Sequence, residues 1–231
     1  MILILLFLIF LFLISFYIDY GHLLKRGSFS ENNILSKDSR YIINTKTFIT
    51  YKFINTMFMG IAIGSYVTQY KPIKIDDYPI MGIIFAILTI GIASLYKRIM
   101  IIDYFFKFLL IIEFIMLIWI IFFLIYPYSY QVALLIYIAR SITFLFGDFL
   151  GRAETIFLNK TEILSLIDIF KQLGNISGMI FSVIFYKWIE QTYLISDNES
   201  KVYYIHFLLV FLQVIIIFFV FKSFKKKKIN S

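Results

Sequence analysis

Apolar residues in this chain come in solid blocks. They show neither the strict alternation of a half-buried strand nor the narrow stripe of an ordinary amphipathic helix. Residues 1–17, MILILLFLIFLFLISFY, are apolar on every face. Six further runs occupy 47–69, 80–96, 104–126, 130–150, 163–188 and 203–221. At about 1.5 Å of rise per residue, each crosses all or most of a hydrocarbon layer roughly 30 Å thick. Pro72 and Pro79 bracket one connection, Pro127 sits in another, and the polar run 159–162 marks a third. Alternating segments of a membrane β-barrel are not visible. The pattern predicts an all-α polytopic membrane protein, a helical bundle of about seven transmembrane helices. It divides into an N-terminal helix at 1–18, a basic, mobile linker at 19–46, a six-helix bundle at 47–222 and a basic tail at 223–231.

Composition strengthens this picture: 61% of residues are hydrophobic and 16% charged, against about 45–50% and about 25% in soluble domains. The first run has no basic residues before it and no Ala-x-Ala site, so it is read as a retained anchor and not a signal peptide. Cysteine is absent, which excludes disulfides and thiolate metal sites, and the two histidines, His22 and His206, are far apart in sequence. No nucleophile elbow, zinc-protease helix or phosphate-binding glycine loop occurs, so the chain is not read as an enzyme and no cofactor or metal is expected.

The net charge of +8 is mostly topological. With the linker placed in the cytoplasm, 14 Lys and Arg fall in inside connections and 4 in outside ones. This predicts an amino terminus outside and a carboxyl terminus inside. The run Lys225, Lys226, Lys227 and Lys228 then reads as an anchor on anionic lipid, and no nucleic-acid partner is expected.

Charges inside the apolar runs require a reason, because each costs roughly 2.5 to 3.5 kcal/mol near the bilayer centre on insertion scales. Glu113 and Arg140 stand midway along consecutive runs and are expected to meet at similar depth. Arg140, Gly147, Gly151 and Glu154 share a face at helical spacing. On the next run Asp168, Gln172, Asn175 and Ser182 form a polar stripe beside Lys171. Glu113, Arg140, Asp148, Asp168, Lys171 and Asn175 are the candidates for solute binding or ion coupling. Gly60 and Gly64, Gly147 and Gly151, and Gly174 and Gly178 are candidate close-packing positions between helices. His206 and Gln213 share a face, where an interior histidine with satisfied hydrogen bonds is expected.

Six spans, an arginine within the fourth (Arg140), paired glycines in the fifth (Gly174, Gly178) and the fragment Asp-x-x-Gly-Arg from Asp148 to Arg152 together resemble one half of a major facilitator superfamily transporter. With 1–17 as its sixth helix and 19–46 as the central loop, the chain resembles the sixth helix plus the carboxyl-terminal half. The resemblance implies a permease for a small solute of unknown identity, with proton coupling as one form, in a bacterial plasma (inner) membrane. It also implies either a truncated product or a half-transporter whose polar stripe is covered by a second copy or a complementary membrane subunit. A seven-helix receptor or sensor and a structural subunit of a membrane complex share the same layout.

Overall fold

A computed structural model describes residues 39–94, 100–158 and 160–227. The leading apolar run, most of the basic linker and the end of the tail therefore lie outside the described residues. The described chain is almost wholly helical: α1 (Thr45–Ala62), α2 (Tyr66–Gln69, one turn), α3 (Asp77–Ser94), α4 (Ile102–Ile125), α5 (Tyr130–Leu158), α6 (Thr161–Tyr193) and α7 (Asn198–Ser223). Two short strands, β1 (Tyr41–Ile43) and β2 (Phe224–Lys226), pair antiparallel.

Local chemistry sets several boundaries. Asn44 is extended and its side chain accepts a hydrogen bond from the Thr47 N–H, capping α1. Asp197 does the same for α7, accepting from the Ser200 N–H at 2.7 Å, and hydrogen bonding with Ser200 holds its carboxyl below the usual carboxylate range. The turn between α4 and α5 follows from Pro127, which cannot continue the first helix, and from Tyr128, at a φ of 60°.

Among the described residues five helices, α3 to α7, are long and apolar enough to cross a membrane. Their outer faces carry unpartnered apolar side chains, with Ile83, Ile87 and Ile90 of α3 exposed by 64%, 64% and 73%. Such a surface is compatible with an integral membrane protein. Of the seven expected spans, 1–17 lies outside the described residues, and the first core span is not one uniform apolar helix. Its regular α-helix ends at Ala62 and resumes as the single turn α2, with Ile63 and Ser65 between them keeping right-handed helical backbone angles. At the break, Ser65 is fully buried and its hydroxyl donates back to the Ala62 carbonyl at 2.7 Å, which also accepts the Ser65 N–H at 3.0 Å.

The helices pair in an ordered way. α1 lies against α6 and α7, α5 lies against α3 and α4, and α4 lies against α7. Exchanging the triplet α1, α3, α4 for the triplet α5, α6, α7 carries α1–α6 onto α5–α3 and α1–α7 onto α5–α4, and leaves α4–α7 as itself.

The α1–α6 seam is the tightest. A β-carbon at Gly60 would overlap the Asn175 backbone carbonyl, one at Gly174 the Phe53 carbonyl, and one at Gly178 the Met57 carbonyl. Only a hydrogen in place of a side chain permits this approach.

One end of the bundle is closed by chain the sequence pattern assigns to a mobile linker and a lipid-anchored tail. β1 and β2 form a ribbon across it. The Asn44 N–H donates to the Ser223 carbonyl at 2.7 Å and the Arg40 N–H to Asp103 Oδ1 at 3.0 Å. Phe224 at the start of β2 is buried and its ring lies 4.6 Å from that of Phe106 and 5.9 Å from that of Phe105, which meets Phe157 at 5.3 Å. Residues 39–46 and 224–227 thus belong to the fold, because burying Phe224 draws both segments over the helix ends.

Candidate functional site

Glu113 lies deep inside the bundle, 3% exposed, and is held from two helices. From α1, the Tyr51 hydroxyl donates to its Oε1 at 2.8 Å and the Asn55 amide to the same oxygen at 2.9 Å. From α7, the Gln213 amide donates to Oε2 at 2.7 Å. Three donors on one carboxylate satisfy it without a cation. The expected partnership with Arg140 is therefore corrected: the two charges are on neighbouring helices, but α1 and α7 reach Glu113 first.

Glu154, also 3% exposed, forms a second knot on Lys52, the α1 residue that follows Tyr51. It is ion-paired with Lys52 of α1 and lies 3.7 Å from the Lys171 ammonium of α6, which in turn stands 3.5 Å from Asp168. Lys52 is itself mostly buried, its ammonium 5.3 Å from the ring centres of both Phe48 and Tyr51. A lysine flanked by rings and matched to a carboxylate keeps both charges out of the apolar surroundings.

Arg140 is arranged differently. Its guanidinium stacks on the face of Tyr66 with its carbon 3.6 Å from the ring centre, and Nη1 donates to the Tyr70 hydroxyl at 3.2 Å. Among the described residues no carboxylate lies within ion-pair distance of it. Both tyrosines come from the chain after the break in the first span. Beside Arg140 is a cavity of about 40 Å³ whose walls include Phe58, Tyr66, Gln69, Trp119, Arg140 and His206. That is room for on the order of three waters.

His206 closes one side of this cavity with both ring nitrogens engaged: Nδ1 lies 2.5 Å from the Val202 carbonyl oxygen and Nε2 lies 2.5 Å from the Gln69 amide nitrogen. Nδ1 must donate to the carbonyl, so Nε2 accepts from Gln69 and the ring is neutral in this arrangement. Phe123 stacks on it at 4.0 Å. Gln69, 4% exposed, has spent its amide nitrogen on His206, and its Oε1 is buried with no donor among the described residues.

The other sequence candidates scatter. Asp148 is exposed and unpaired within 4 Å among the described residues; Asp168 and Gln172 are exposed on α6. Asn175 is half-buried at the α1–α6 seam through its backbone, and Ser182 is buried, its hydroxyl donating to the Met179 carbonyl at 2.8 Å. The polar stripe of α6 is thus only partly open, since α1 covers much of it. Gly174 and Gly178 pack inside this chain, so they are not the contact to a partner that the stripe suggests. Gly64 makes ordinary contact with Tyr186, and a β-carbon at Gly147 or Gly151 would meet nothing within 4 Å. Those two glycines are open in this chain and not a packing seam.

Sequence reading overlooked Tyr51, Lys52, Tyr66 and Tyr70, all on the first core span or at its end. Their signal was present: this span is the most polar of the six, and Tyr51 and Asn55, like Tyr66 and Tyr70, are four apart and share a helical face. Among the described residues no group of His, Asp and Glu is placed to hold a metal ion. Compared with protein-family models, curated proteins and solved structures, this chain matches none.

Proposed function

We propose that this chain is a membrane transporter of the major facilitator type, corresponding to one half of such a permease, and that a small solute passes through the bundle beside Arg140. The observation that carries the reading is the interruption of the first span at residues 63–65, beyond which Tyr66 and Gln69 stand on the wall of a small cavity beside Arg140. Transporters place solute sites where a spanning helix is discontinuous, because released backbone and reoriented side chains at membrane depth are tolerated only around a cavity. The interchange of helix triplets supports it too, since consecutive spans alternate in direction and halves of this family consist of two inverted three-helix repeats.

In this reading the β-ribbon and the Phe224 cluster close the cytoplasmic end, the carboxyl terminus is inside and the membrane is a bacterial plasma membrane. Glu154 is the carboxylate best placed to couple a proton, because protonating it releases Lys52 and Lys171 from one shared anchor. The open glycines Gly147 and Gly151, with exposed Asp148, Asp168 and Gln172, mark the side on which a second copy or complementary subunit completes the path. The test is flux: purified protein in proteoliposomes should move solute down an imposed proton gradient, and Glu154→Gln should abolish driven uptake while retaining exchange. Vesicles that hold folded protein and show neither uptake nor exchange across a broad solute panel would leave the subunit reading in its place.

A further inference from the structure

We infer that the cavity beside the broken first span receives the carboxylate of a small organic anion carrying a hydrogen-bond donor next to that carboxylate, with Arg140 as its counter-charge. This rests on the transporter reading for its purpose, but not for its geometry.

The charge balance of the interior supplies the first premise. Glu113 and Glu154 are each met by neighbours that fit them, whereas Arg140 has ring faces and a phenol and no carboxylate among the described residues. Cation–π contact offsets only part of the cost of placing an arginine at membrane depth. Stacking on Tyr66 fixes the guanidinium plane and leaves much of its donor edge unspent, and that edge matches a planar carboxylate with two parallel hydrogen bonds. Lysine offers no such fork.

Size and polarity narrow the ligand. About 40 Å³ accommodates a group of a few heavy atoms, such as a carboxylate, more readily than a tetrahedral phosphate or sulfate with its wider shell of oxygens. Gln69 Oε1 is a buried acceptor on the cavity wall without a donor. Left unmade, such a hydrogen bond leaves the acceptor with its desolvation cost uncompensated. A hydroxyl or ammonium on the carbon beside the carboxylate supplies that donor, whereas His206, neutral in this arrangement and with both nitrogens engaged, adds no competing charge.

Trp119 makes the inference measurable, because it lines the cavity and the sequence has only one other tryptophan, Trp188. In a Trp188→Phe background, purified in neutral detergent without added lipid, sodium lactate should change Trp119 emission saturably at constant ionic strength. Propionate, lacking the hydroxyl, should bind several-fold more weakly. Arg140→Gln should weaken lactate binding at least tenfold, and Arg140→Lys, which keeps the charge but loses the fork, by less. Gln69→Glu, which sets a like charge against the ligand, should weaken it as well and serves where Arg140→Gln does not fold. No saturable response to lactate or propionate in folded protein, an equal response in Arg140→Gln, or tighter saturation by inorganic phosphate would each overturn the assignment. Lactate binding without any flux in proteoliposomes would keep this site and remove the transporter reading. Flux of an uncharged solute that is indifferent to Arg140→Gln would do the reverse.

Discussion

From Thr45 to Ala62 the first core span is sealed: Gly174 and Gly178 of α6 press onto its backbone, and Tyr51, Lys52 and Asn55 bind the two buried carboxylates. From Ile63 to Tyr70 the same span passes through a tight turn, makes one further helical turn and sets Ser65, Tyr66 and Gln69 around a cavity. Both pieces are polar, yet one has nearly every polar group matched within the chain and the other leaves a cation and an acceptor unmatched. Buried polarity that is fully satisfied holds helices in register; buried polarity left incomplete has capacity for something else. The first piece is therefore the frame and the second is the site.

The sharpest way to break the frame is Gly178→Leu. A side chain there collides with backbone atoms of α1, which cannot swing aside, so the loss should be at least about 3 kcal/mol. Fluorescence-detected size exclusion should show no monodisperse peak. Next in size is Glu113→Leu, which strands the Tyr51, Asn55 and Gln213 donors and should cost about 2 to 4 kcal/mol in thermal unfolding. Glu113→Gln should cost less. Because Arg140 does not touch Glu113, exchanging the two charges should give no rescue; a rescue would mean that the pair meets in another state of the protein.

Lys52→Met leaves Glu154 with only the more distant Lys171 and should cost about 2 kcal/mol, much of it recovered when Glu154→Met is added. A double variant as unstable as the sum of the singles would remove Lys52 and Glu154 from the frame. Arg140→Met reverses the balance of effects. Stability should change by under about 1 kcal/mol, since only one hydrogen bond and a ring contact are lost, while solute binding and flux disappear. A melting shift as large as that of Glu113→Leu would place Arg140 in the frame after all. Smallest of all, Gly147→Leu meets open space and should move the monomer's melting point within error, about 0.5 kcal/mol or less. A change in oligomeric state with an unchanged monomer would instead locate the partner surface on α5.

The blocks of apolar residues by themselves determined the helical class and the placement of α3 to α7, because a run of twenty or so apolar residues has few alternatives to a helix whose backbone satisfies itself. They also made intramembrane charge stand out, so Glu113, Arg140 and Lys171 were legible as unusual, and the glycine spacings at Gly60, Gly174 and Gly178 were legible as close-approach sites. Which groups meet was not legible. Glu113 and Arg140 look like partners when two helices are considered alone, but α1 returns between α6 and α7 and delivers Tyr51 and Asn55 to the carboxylate from far along the chain. The same folding back decides that Gly147 and Gly151 stay open and that Phe224 ties the linker to the tail. Periodicity reports which face of a helix is polar. Only packing assigns that face a neighbour, because each contact depends on how six helices share one interior.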